Sequence, residues 1–462
     1  MDRRAALAAL GSLTALPVLG APATPGPGWK SVRAFGARGD GRTDDSGAFQ
    51  EALDRAPGVW VPPGRYLVGD LVIRSHTRLR GSGAASRLLH RANSPFLAAI
   101  NPGSNGSADP RDNARAIAIE DLAFEGRSAT EGFIEHVHLL VASACSRLSV
   151  ARCSFRAFQG DGIYIGSGTE GNVERHNEDI AVRGCVFDGV NFANRQGISI
   201  IDGTRIAIED NAFRNCSRHD MPGAIDIEPD ENRFHVIRDI RIARNRFTGV
   251  GGFVGAVCLI LPIPDFTVAP RGFTIVGNRI DGRFRTQGIV AKGFVDAASQ
   301  PPLDLIVAGN EIVDTVLGFE LDGVRGVRFE RNLIRNTLTE PVVSMPRRGC
   351  SADVRIAGNR FERLAMHTGR GLALHPTTRL TVSGNTFDDC GWLHANGGSA
   401  ISLDEYPRPD FDLDGNSFLA RGFRRAAVHL KDDPAAMERR LRDAGNRFGP
   451  DVDPVDRGAW GR

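Results

Sequence analysis

The segment 219–235 reads HDMPGAIDIEPDENRFH and concentrates groups that do acid–base chemistry. Ile225 and Ile227 alternate with Asp226 and Glu228. On an extended strand, period two turns the isoleucines to one side and both carboxylates to the other. Asp230 and Glu231 follow, and His219, Asp220 and His235 flank the strand. Like charges this close either raise a pKa or need a counter-cation. Carboxylates at i and i+2 stand about 6.6–7 Å apart at Cα. That suits an acid and a base on either side of a water, as in inverting glycoside hydrolysis, where about 6.5–9.5 Å separates the carboxyls. The assignment is Asp226 and Glu228 as acid and base. Arg195, which opens the preceding strand with Gln196, is the clamp for a substrate carboxylate. His219 or Tyr164 with Arg195 or Lys292 offers a second chemistry: proton abstraction beside a neutralised uronate carboxyl. The competing reading of 219–235 is a surface acidic cluster paired with Arg195, Arg218 or Arg233.

These residues need a scaffold that repeats. The segments 161–166, 196–201, 223–228, 255–260, 287–292, 317–322, 371–375 and 399–404 align as short strands. One outward column then holds Tyr164, Ser199, Asp226, Cys258, Val290, Glu320, Ala373 and Ser402. The next holds Gly166, Ile201, Glu228, Ile260, Lys292, Asp322, His375 and Asp404. A solvated strand face is ordinarily polar, so Glu320/Asp322 and the isolated Lys292 also fit plain surface. Tyr164, Gln196, Asp220, Asp230, Lys292, Glu320 and Asp322 are the substrate-binding candidates. The segment His176–Asp179 is either a groove wall or a turn.

Between these strands runs a second repeat, apolar-x-apolar-x-x-Asn-x-Phe/Ile, with Asn at 211, 245, 278, 310, 332, 359, 385, 416 and 446. Leu122, Cys153 and Cys185 take the Asn slot in three earlier copies. The period is about 30 residues, without the leucine-rich signature and shorter than a propeller blade. Such thin units must stack on one another. The expected fold is all-β: a right-handed parallel β-helix of about 12 coils rising roughly 4.8 Å each. The Asn residues should form an internal ladder at one turn, helped by the tolerance of Asn for the left-handed conformation. Cys153 and Cys185 should stack as buried thiols rather than bind metal. Residues 44–56 and the helix after Asp433 should cap the ends and cover the strand edges.

The segment 32–83 contains Phe35-Gly36-Ala37, Gly39-Asp40-Gly41, Thr43-Asp44-Asp45, Val61-Pro62-Pro63-Gly64 and Tyr66. It resembles the N-terminal module of the pectate-lyase superfamily. That superfamily includes polygalacturonase-like hydrolases, polysaccharide lyases, uronate epimerases, fructan-converting enzymes and phage tailspikes. The resemblance implies a right-handed β-helix and a carbohydrate ligand, without fixing the reaction. Arg195–Ile200 (RQGISI) and Ala224–Pro229 (AIDIEP) are similar to a recurrent pair of strands in bacterial β-helix proteins, with Ala224 in place of Gly. The polygalacturonase motifs N-T-D, D-D, G-H-G and R-I-K are absent, as is a calcium-binding Asp cluster with a downstream R-x-x-R.

Composition narrows the rest. The chain has 462 residues, a net charge of +2 and 41% hydrophobic residues. Nothing in that balance suggests a nucleic-acid partner. Residues 1–23 (MDRRAALAALGSLTALPVLGAPA) read as an export signal, with paired arginines of the twin-arginine kind and an A-x-A site. Residues 24–31 read as a linker and 32–462 as one β-helix domain, with an N-terminal cap at 32–83 and a C-terminal cap at 433–462. The expectation is a periplasmic or secreted monomer or homotrimer without a membrane span. It would need no cofactor, with calcium left open, and would act on a polysaccharide or oligosaccharide. Glycoside hydrolysis comes first, lyase or C5-epimerase chemistry second and non-catalytic glycan binding third.

Overall fold

A computed structural model of the chain describes residues 26–91, 97–100, 113–169, 173–293, 296–344, 350–391, 398–403, 411–421, 424–430 and 433–456. Residues 1–23, on which the export-signal reading falls, Asp404 and residues 457–462 lie outside these. The chain winds as a right-handed parallel β-helix through three sheets, here A, B and C, of 14, 15 and 14 strands. The rod is longer than the Asn repeat alone suggests because the 32–83 module supplies coils of its own. Its strands Gly58–Trp60, Gly64–Val68 and Arg78–Arg80 belong to sheets A and B. One sheet C coil, Val342–Val343, escaped the sequence alignment and sits between Glu320 and Ala373 in register. Among the described residues no helix is long and apolar enough to cross a membrane.

The turn from sheet A to sheet B carries the ladder. Each Asn Oδ1 accepts the backbone N–H of the preceding ladder Asn and a proton from its Nδ2. Asn245 to Asn278 does so at 2.9 and 3.1 Å, and Asn278 to Asn310 at 2.9 and 3.0 Å. The series runs from Asn211 to Asn446, and its head, Asn211 Oδ1, accepts Cys185 N–H at 2.8 Å. The left-handed conformation falls one residue before the Asn. Asp210, Arg244, Gly277, Gly309, Arg331, Gly358, Gly384, Gly415 and Gly445 all have φ between 53° and 73°. Asn is selected for its paired amide donor and acceptor, while the strained position goes to Gly, Asp or Arg. Cys153 and Cys185 are buried in the same slot. Burial, then the adjacent Cys185 thiol, pushes Cys153 well above the ordinary thiol range.

Sheet B lines the core with stacked rings. Phe124, Phe155, Phe187, Phe213 and Phe247 follow one another with centroids 4.7–5.0 Å apart and planes within 9°. Ile280, Ile312 and Ile334 continue the column in register before Phe361 resumes it. Both capping helices are present, Ser46–Arg55 and Pro434–Asp443. Asp433 accepts Ala436 N–H at 3.0 Å, as an N-cap does. Asp45 differs from the expected capping role. It is buried, and its carboxylate accepts the N–H groups of Arg38 and Gly39, pinning the preceding loop.

Candidate active site

Sheet C places the outward column as the alternation requires. Tyr164 pairs with Ser199, Ser199 with Asp226, Asp226 with Cys258, Cys258 with Val290 and Val290 with Glu320. The inward partners Ile225 and Ile227 are buried in the core. Glycines let the coils close up at the strand entries. A Cβ on Gly197 would stand 2.7 Å from Phe213, and one on Gly223 only 1.6 Å from Gly255 O. Ala224 fits where the recurrent pattern has Gly.

The outer face is not a solvated one. Ser199, Asp226, Cys258, Val290, Glu320 and Asp322 are all buried, and Cys258 and Val290 form a small apolar cluster with Val254 and Ile260. Asp226 is 1% exposed while Glu228 is half-buried. The two carboxyls are hydrogen-bonded to each other. Burial, then the charge and hydrogen bond of Glu228, raises the Asp226 pKa well above its ordinary value; Arg195 opposes and Asp161 reinforces this. Asp226 Oδ1 has no hydrogen-bond partner. Among the described residues no ion pair takes Asp226 or Glu228. Arg218 pairs with Asp220, which is part of 219–235, and Arg233 with Asp265, so the surface-cluster reading holds for Asp220 but not for Asp226 and Glu228.

Arg195 arrives from the coil before. Its Nη1 lies 3.5 Å from Asp161 Oδ2 and its Nε 4.0 Å from Glu135 Oε1, and that Nε donates no hydrogen bond. Burial lowers its pKa, but the charges of Asp161, Asp226 and Glu135 outweigh that and raise it. Asp161 is fully buried and accepts Gln196 N–H at 2.9 Å. His138 Nδ1 sits 3.2 Å from Asp161 Oδ2, and its ring stacks on Tyr164 with centroids 4.6 Å apart. Burial, then the charges of Asp230 and Asp161, pushes the Tyr164 phenol up to about 12, so it remains an O–H donor at neutral pH. Gln196 Oε1 accepts the Ser199 hydroxyl at 3.4 Å, and its Nε2 is unpartnered.

The structure thus gathers Asp226, Glu228, Arg195, Tyr164, Gln196 and Asp230 around one stretch of sheet C. His219 and Asp220 lie apart, exposed in the turn before the strand, with Asp220 held by Arg218 at 2.9 and 2.7 Å. Lys292, Glu320 and Asp322 sit further along. Glu320 is three rungs from Asp226, roughly 14 Å at the sheet spacing. Lys292 is mostly buried and pairs with Glu320 at 3.3 Å rather than standing in solvent. His176 Nδ1 donates to Asp202 at 2.9 Å, and buried Asn177 ties Cys145 N, Gly166 O and Asp202 O together, so 176–177 is a structural turn that leads into the strand Glu178–Arg183. Asp161, His138 and Glu135 were not among the residues singled out in the sequence. Asp161 opens the 161–166 strand segment, whereas His138 and Glu135 lie in a loop with no repeat pattern. Among the described residues no three His, Cys, Asp or Glu side chains converge as metal ligands.

Comparisons with known proteins bear on the fold and the family. A family model described as "Rhamnogalacturonase A/epimerase, pectate lyase-like" matches residues 29–243, slightly under half the chain. A glucan 1,3-beta-glucosidase of Cochliobolus carbonum is 29% identical over 209 residues, 38% of this chain and 25% of that protein. Alginate lyase 7 of Azotobacter vinelandii is 31% identical over 121 residues, 23% of this chain and 14% of that one. The pre-neck appendage protein of Bacillus phage phi29 is 24% identical over 272 residues, 47% and 31% of the two chains. The chain therefore spans about a third or less of the length of these relatives. Among solved structures, pre-mature phi29 gene product 12 superposes over 87% of this chain and 54% of that one, with a TM-score of 0.65 at 16% identity. The Streptococcus pneumoniae surface adhesin PfbA does so over 92% and 93%, with a TM-score of 0.51 at 14% identity. Both show the fold alone. The matched N-terminal half, on a solenoid of this kind, supports the pectate-lyase-like superfamily as the group to which the chain is similar.

Proposed function

We propose that the chain is an exported carbohydrate-active enzyme that cleaves a glycosidic bond in a polysaccharide or oligosaccharide. One feature carries this reading: burial and the neighbouring Glu228 carboxyl raise the pKa of Asp226 well above its ordinary value, beside the Arg195 guanidinium. A protonated carboxyl at neutral pH is the general acid that a departing sugar oxygen needs. In this reading Asp226 gives its proton to the leaving oxygen. Glu228, the more exposed member, swings away as a water enters between the two and takes the proton of that water. Arg195 and Tyr164 orient the sugar. The matches to a glucosidase, an alginate lyase and a rhamnogalacturonase/epimerase model support a carbohydrate substrate.

Lyase or C5-epimerase chemistry is the second reading. It is favoured by Arg195, whose unpartnered Nε suits a uronate carboxylate, and by Tyr164 as proton carrier. The test is activity of the protein on a panel of neutral and uronate polysaccharides. Reducing ends and the ultraviolet absorbance of unsaturated uronates are followed together. Hydrolysis gives reducing ends without absorbance, and Asp226→Asn lowers it about 10²–10⁴-fold. Absorbance that survives in Asp226→Asn and Glu228→Gln moves the chemistry to Arg195 and Tyr164. Binding without turnover on any substrate leaves a glycan-binding solenoid.

A further inference from the structure

The turns that lead into sheet C line an open cavity of about 620 Å³ that the acid–base pair does not use. Five coils contribute to it: Phe133, Asn191 to Ala193, Ser217 to His219, Gly251, and Arg285. Two guanidiniums lie on phenyl faces. Arg218 is 4.2 Å from the Phe133 centroid and Arg285 is 5.2 Å from that of Phe192. Asp220 already neutralises Arg218. Arg285 is exposed and forms no ion pair with any described residue. A guanidinium resting over a ring is restrained in place and can meet a planar or tetrahedral oxyanion.

Phe192 and Phe284 both occupy the left-handed region, with φ 60° and 56°. Bulky residues almost never do so without a functional or structural constraint. Phe253 and Phe284, at 59% and 42% exposure, stand among the few large apolar side chains that the described residues leave open. Gly251 forms the floor: a Cβ there would lie 2.2 Å from Ser217 O and 3.4 Å from Phe192. The Ser217 hydroxyl donates to Gly223 O at 2.6 Å, anchoring the cavity wall to the strand entry. Asp226 follows three residues later, roughly 10 Å along the extended chain.

We propose that this cavity is a second carbohydrate site, distinct from the Asp226–Glu228 pair. It binds a sugar that carries a carboxylate or sulfate. Arg285, stacked over the Phe192 ring that lines the cavity, holds the anionic group. The choice of a sugar as occupant rests on the carbohydrate reading above; the preference for an anion rests on Arg285 alone.

The test is titration calorimetry on the Asp226→Asn protein, which holds substrate without turning it over in that reading. The probes are a galacturonate tetramer, its fully methyl-esterified form and a sulfated oligosaccharide of similar length. The acidic probes bind at least about tenfold more tightly than the ester, and Arg285→Gln removes that preference. Phe192→Gly, which takes the ring from under Arg285 and relieves the left-handed strain, weakens acidic binding while leaving the Tm equal or higher. A merely structural Phe192 would instead lower the Tm. Equal affinity for acid and ester, or unchanged affinity in both variants, overturns the proposal. Turnover that survives in Asp226→Asn sinks the acid–base assignment without touching the calorimetric result, so the two readings fail separately.

Discussion

Replacing Asp226 by Asn should make the protein more stable at neutral pH and less active. In the native chain the carboxyl is buried beside Glu228, and its pKa is raised well above the ordinary value of 3.8. Below that value both folded and unfolded chains hold the proton, and Asp226 costs nothing. Between it and the folded pKa, the folded chain keeps a proton that the unfolded chain has lost. Stability then falls as pH rises, by up to about 1.4 kcal/mol per pH unit for one proton. Above the folded pKa the loss is complete and constant. Asn has the same shape, carries no charge and still donates to Glu228, so the variant lacks this slope. The stability gap between variant and wild type should therefore start near zero at about pH 4 and widen toward neutrality at up to that slope. Paired urea titrations at several pH values measure the gap directly, provided the m-values of the two proteins agree. A gap that stays flat with pH, or native protein that gains stability as pH rises through this window relative to the variant, refutes a proton on buried Asp226. The same variant, assayed for turnover, then gives the trade of activity for stability expected of a strained catalytic group.

The ladder and the strand entries make two further predictions. Asn278→Ala strands the Asn245 N–H, one Asn245 amide proton and the Ile242 carbonyl, at about 1–2 kcal/mol each. The total is about 3–6 kcal/mol, and hydrogen exchange should rise most in the coils around 245 and 278. Gly223→Ala drives a methyl toward Gly255 O and should lower both Tm and activity. Gly184→Asn, at a left-handed position with only Arg152 Cγ nearby at 3.8 Å, should cost less than about 1 kcal/mol on either.

The solenoid was legible because its cause is repeated. Each coil needs the same amide at the same turn and the same apolar residue after it, so nine Asn residues announce one architecture. The outward register of sheet C was legible for the same reason, since alternation with Ile225 and Ile227 fixes where Asp226 points. What covers that face was not. Burial of Asp226, Glu320 and Lys292 depends on turns such as 217–223 and 251–256, whose lengths and residues differ from coil to coil. The same holds for His138 and Asp161, which meet Arg195 and Tyr164 only because three coils stack. The Val342–Val343 coil was missed because its two residues carry no glycine and no alternation long enough to align.

The stacked rings of sheet B divide the rod mechanically. The phenyl column from Phe124 to Phe247 ends where Ile280, Ile312 and Ile334 replace it, and resumes from Phe361 to Phe448. In those middle coils the ring volume moves to sheets A and C, as Phe273, Phe319 and Phe329, and Phe319 tilts against Phe329 at 4.2 Å. A linear array transmits disturbance only from neighbour to neighbour. The aliphatic sleeve of three coils therefore acts as a joint between two stiff segments. The Asp226 coil is housed in the N-terminal segment, so fraying that begins at the C-terminal cap must pass through the sleeve before it can loosen the acid–base pair.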